Sequence, residues 1–159
     1  MPTSPIHSRA AIMGHPLHPV LIHFPVAALL MLIAADAAYL VTGDFFWARA
    51  GVWLAGVGAI GGAVSGIAGL IDLTTVSRIR QLVTAWSHSL LAVMLLSLAS
   101  LNWMLRFEDA AAYILPWGAF LSLLTGGLIA ITGFLGGQLV YEYAIGVDFE
   151  EAMSRKVRP

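Results

Sequence analysis

The sequence predicts an all-α integral membrane protein, a bundle of four transmembrane helices connected up-down-up-down. Three observations carry this. Of the 159 residues, 59% are hydrophobic and only 11% are charged, whereas a soluble domain carries roughly 25% charged residues. Four apolar runs each reach the roughly 20 residues that a helix needs to cross the hydrocarbon core. The connections between them are short, which makes sequence neighbours antiparallel. The runs do not alternate apolar and polar residues, as the strands of a membrane barrel would.

Taken in order, the runs cover about 20–41, 47–71, 82–104 and 114–141 of a single domain, 1–159. The leader before the first run is long and carries one arginine, Arg9. Ala35-Asp36-Ala37 loosely resembles a signal-peptide cleavage site, but the histidines at the start of the run favour a retained helix. Asp36 lies within this run and is expected to pair with Arg49 at the start of the second. The second run is rich in glycine, with Gly58, Gly62 and Gly66 spaced by four on one helix face. Two readings of the glycines stay open: close helix approach through small residues, or room for a flat cofactor. Arg9, Arg78, Arg80, Arg155, Lys156 and Arg158 fall on one side of the bilayer, against Arg49 and Arg106 on the other. The positive-inside rule then places both termini in the cytoplasm.

Composition also excludes function classes. The net charge of −1 argues against a nucleic-acid partner. The absence of cysteine removes disulfides, thiolate zinc sites, cysteine-ligated iron–sulfur clusters and covalently attached haem. No serine nucleophile sits in a recognisable motif, so an electron-transfer or accessory role is favoured over a stand-alone enzyme.

The most unusual stretch is Gly14-His15-Pro16-Leu17-His18-Pro19, followed by His23-Phe24-Pro25. Each proline restricts the residue before it to extended backbone, so His15 and His18 are expected to be extended at the membrane edge. His23 and, in the third run, His88 lie at similar depth on parallel helices and are expected to face each other. Asp72, Gln138, Tyr141 and Glu142 reach the same end. Ionisable groups inside a membrane domain usually face an interior site. Two cofactor assignments follow. One is a b-type haem with His23 and His88 as axial ligands, oriented by Asp72 and Tyr141. The other is a non-haem site for zinc, copper or iron built from His15, His18, His23 and His88 with Asp72 or Glu142.

The opening motif, with Gly69-Leu70-Ile71-Asp72, His88 and Gly136-Gly137-Gln138-Leu139-Val140-Tyr141 in the same order, resembles the bacterial membrane family catalogued as domain of unknown function 2231. That resemblance implies a four-helix protein of the bacterial inner membrane. Its relatives resemble modules joined to Rieske-type or cytochrome c domains, which implies redox work. The residues carried over are His15, His18, His23, Asp72, His88 and Tyr141. The expected partners are the lipid bilayer, a separate redox protein, a larger respiratory or photosynthetic complex, or a second copy of the chain.

Overall fold

The computed structural model describes residues 6–147. The helices are α1 (Leu17–Thr42), α2 (Phe45–Thr75), the one-turn α3 (Ser77–Arg80), α4 (Val83–Leu105) and α5 (Ala119–Tyr141), and a π turn at Ile114–Gly118 leads into α5. α1, α2, α4 and the π turn with α5 are each long and apolar enough to span a membrane. Ahead of α1, β1 (Ala11–Ile12) pairs antiparallel with β2 (His15–Pro16).

The prolines act differently on the two sides of the first helix boundary. Pro16, at φ −59° and ψ 131°, is the N-cap of α1, and His15 before it is extended as expected. His18 is not extended. It lies in the first helical turn with Pro19, where a missing N–H has no intrahelical acceptor to lose. Pro25 sits inside α1 and is buried. At the other end, Gly43 adopts φ 66° and donates its N–H to the Tyr39 carbonyl at 2.8 Å, a left-handed cap that costs glycine little. Asp44 then caps α2 by accepting from the Phe46 amide at 2.9 Å.

α1 packs on α2, α2 on α4, α4 on α5 and α5 on α1, which leaves α1 and α4 diagonal. A Cβ on Gly58 would collide with the Leu29 side chain, and one on Gly56 would fall 2.8 Å from the Trp103 indole. These glycines bring α2 close to α1 and α4, the small-residue packing that membrane helices favour. Between them lies an apolar centre of Leu29, Leu32, Ala55, Ala99 and Ile129.

Beyond that centre, toward the α1–α2 turn, sits a buried ion pair. Arg106 Nη1 and Nη2 donate to Asp36 Oδ1 and Oδ2 at 2.7 and 2.9 Å. Arg106 Nε donates to Asn102 Oδ1 at 2.9 Å, and Ser122 Oγ donates to Asp36 Oδ2 at 2.7 Å. Asn102 Nδ2 donates to the Gly118 carbonyl at 3.2 Å. Arg106 is only 1% exposed. The expected partner of Asp36, Arg49, is instead on the surface. The reason is steric: a Cβ on Gly51 would lie 2.8 Å from Arg106 Nη1, so the bare glycine admits the guanidinium from α4 into the space beside Asp36.

Arg106→Leu should lower stability by about 3–5 kcal/mol, the usual result of stranding one partner of a buried pair. The double change Asp36→Leu/Arg106→Met should recover most of that loss, and Arg49→Ala should stay within about 0.5 kcal/mol of the parent. Unfolding of the detergent-solubilised variants measures all three.

Candidate functional site

The opposite end of the bundle is closed by the segment before α1. Ser8 Oγ donates to Asp72 Oδ2 at 2.6 Å, and the backbone amides of Arg9 and Ala10 donate to Oδ1 at 2.8 and 3.0 Å. Ile6 pairs in parallel with Ile145, and its side chain joins Leu73, Ile79 and Ala85 in a second apolar cluster. Asp72 therefore fastens this strap to the end of α2.

Beneath the strap, two imidazoles meet across the bundle. His18, from α1, and His88, from the diagonal α4, have ring centroids 6.0 Å apart and planes at 89°. His18 Nδ1 lies 2.9 Å from the Ser65 carbonyl, and His88 Nδ1 lies 3.0 Å from the Thr132 carbonyl. A carbonyl only accepts, so each Nδ1 carries the proton. In the neutral ring each Nε2 then keeps its lone pair. Ser65 Oγ adds a bond to the His18 carbonyl at 3.2 Å. The neighbouring helices thus fix both rings: α2 holds His18 and α5 holds His88.

The ring facing His88 is that of His18, where His23 was expected. With a helix from Leu17 onward, the five residues from His18 to His23 turn the side chain about 140° around the axis. His23 is exposed, with its Nδ1 3.4 Å from the Val20 carbonyl. His15 is exposed at the hairpin, with Nδ1 3.0 Å from the Met13 carbonyl. Tyr141 is 81% exposed at the end of α5. Glu142 lies beside Gln138, whose Nε2 donates to it at 3.3 Å. His15, His23, Asp72 and Tyr141 therefore do not join the pair, and no three His, Asp or Glu side chains among the described residues gather around one point. Ser65 and Thr132 are the participants that sequence reasoning missed. Thr132 acts through its main-chain carbonyl, which leaves no trace in a sequence, and Ser65 through its carbonyl and its hydroxyl, which lies 3.1 Å from His18 Nδ1.

Two nitrogens bound at about 2.0–2.1 Å to one ion set their ring centres roughly 5–6.5 Å apart, depending on the angle at the ion, and the observed separation falls within that range. The pair offers two imidazole donors where a zinc site takes three or four protein ligands, while a haem iron with two axial histidines asks the protein for two. The number of donors is therefore the one point of agreement with a haem site. The glycines do not line a slot for it. A Cβ on Gly69 would lie 3.2 Å from His18 Nδ1, and one on Gly136 would lie 3.3 Å from His88 Cε1. They make room for the imidazoles themselves.

A sequence profile described as that of a predicted membrane protein, DUF2231, matches residues 14–149 of the chain. No curated protein and no solved structure matches it.

Asp72→Ala should release the strap while leaving the four long helices in place. Hydrogen bonds to a charged acceptor contribute about 1.5–3 kcal/mol each, so the Arg9 and Ala10 amides should exchange with solvent at least about tenfold faster, as read by hydrogen–deuterium exchange. Unchanged exchange would contradict the role given to Asp72.

Proposed function

The chain belongs to the DUF2231 family of predicted membrane proteins, and from that premise we propose that it is a b-type haem protein that transfers electrons to or from a separate redox partner. One observation carries this reading: His18 and His88 meet on the bundle axis with both Nδ1 atoms tied to carbonyls. Histidines that bind metal almost always donate the other ring N–H in this way, which fixes the ring and raises its basicity. His18 and His88 would hold the iron, and the group would supply one-electron chemistry when bound. The chain's own contribution is to orient the two rings through the Ser65 and Thr132 carbonyls and to hold the strap at this end of the bundle through Asp72.

The orientation proposed for the protein is N- and C-termini in the cytoplasm, in a bacterial inner membrane. Arg106 is buried in its ion pair and drops out of the loop count. That leaves Arg49 alone against Arg9, Arg78 and Arg80, together with Arg155, Lys156 and Arg158, which lie outside the described residues.

A second reading, a single copper ion between the imidazoles, is favoured by the glycines that clear room for the rings and for nothing wider. A third, an accessory subunit of a larger respiratory or photosynthetic complex, needs no cofactor.

The purified protein should show a Soret band that shifts on dithionite reduction. His18→Ala and His88→Ala should each abolish it, and His23→Ala and His15→Ala should retain it. A colourless protein with stoichiometric copper would replace haem by the bare ion. A colourless and metal-free protein, co-purifying with a large partner, would favour the accessory role. Loss of the band in His23→Ala but not in His18→Ala would overturn the assignment of ligands.

A further inference from the structure

A cavity of about 350 Å³ opens beside the strap, between the leader and the α2–α3 turn. His7, Ser8, Arg9, Thr75, Ser77 and Arg78 line it, and among the described residues no carboxylate does. Ser8 is committed to Asp72. The Arg9 guanidinium makes no hydrogen bond or ion pair among the described residues, although its backbone amide is fixed on Asp72. The main chain thus fixes where the Arg9 side chain starts, and its exposed guanidinium pairs with no other described residue. The hydroxyls of Thr75 and Ser77 surround the same space; Thr75 Oγ1 donates to the Ile71 carbonyl at 2.6 Å and keeps its acceptor capacity.

The depth of this cavity says what reaches it. α2 has 31 residues, about 46 Å at 1.5 Å per residue, against about 30 Å of hydrocarbon. Its last turn therefore stands at the level of the lipid headgroups. Trp86 marks the same level, donating its indole N–H to the Arg80 carbonyl at 2.9 Å where an aromatic belt lies. The group most abundant at that depth is phosphate. Arginine is the residue whose planar fork matches it bidentately.

We propose that the cavity bounded by His7, Arg9, Ser77 and Arg78 binds the phosphate of an anionic lipid headgroup. Arg9 supplies the bidentate contact, Arg78 and His7 flank it, and the strap that carries Arg9 is thereby pinned to the membrane surface. Basic pockets at the cytoplasmic ends of membrane helices take headgroups in this manner. The volume suits a headgroup and not a whole lipid.

The full chain in nanodiscs of phosphatidylcholine, with and without phosphatidylglycerol, tests this by native mass spectrometry of retained lipid. Phosphatidylglycerol should stay bound and phosphatidylcholine should not. Arg9→Gln, which leaves the backbone bond to Asp72 intact, should weaken retention about tenfold. Arg9→Lys should restore part of it, and Arg49→Gln at the opposite face should change nothing. Unfolding of Arg9→Gln at the parent temperature excludes misfolding as the cause. Equal retention of both lipids, or an Arg9→Gln variant that binds as the parent does, would overturn the proposal. Displacement of the lipid by millimolar inorganic phosphate would assign the site to the free anion instead.

Discussion

The ion pair between Asp36 and Arg106 is the constraint on which the half of the bundle at the α1–α2 turn depends. Lipid tails are as apolar as leucine, so hydrophobic burial supplies little attraction between helices, and packing and hydrogen bonding must supply it. The pair links the diagonal helices α1 and α4 across the interior. Ser122 brings in α5, and Gly51 allows α2 to close over the guanidinium. Every donor of the guanidinium that the structure pairs is paired with Asp36 or Asn102, so the charges are offset where no water can reach them.

The other half repeats the arrangement with two imidazoles. His18 and His88 again connect the diagonal helices, and the Ser65 and Thr132 carbonyls tie each ring to the helix beside it. Between the two polar layers stands the apolar centre around Leu32 and Ile129. The bundle is thus held at both ends of its axis by polar contacts, with glycine-mediated packing in the middle.

The four long helices were legible because hydrocarbon thickness imposes a length on any apolar run that spans it. The partners inside the bundle were less so. Pro19 reads as a helix breaker until its position in the first turn is known, and that position decides whether His18 or His23 points inward. Arg106 reads as a loop charge because it follows the last apolar residue of its run; nothing in the sequence shows that a glycine two helices away leaves space for its head. Asp72 was legible as a polar residue at a helix end. Its partners are two backbone amides and a serine of the leader, and main-chain donors carry no sequence signature.

The separation of Asp36 and Arg106 along the chain also bears on biogenesis. They lie 70 residues apart, and α1 leaves the ribosome long before α4. A lone aspartate or arginine costs about 2.5–3.5 kcal/mol at the centre of a membrane helix and less toward its end, where Asp36 and Arg106 lie. Until Arg106 arrives, α1 carries a charge with no counterpart, and α4 inherits the converse problem if α1 has drifted away. Partition of the first helix into the bilayer is thereby coupled to synthesis of the third spanning helix.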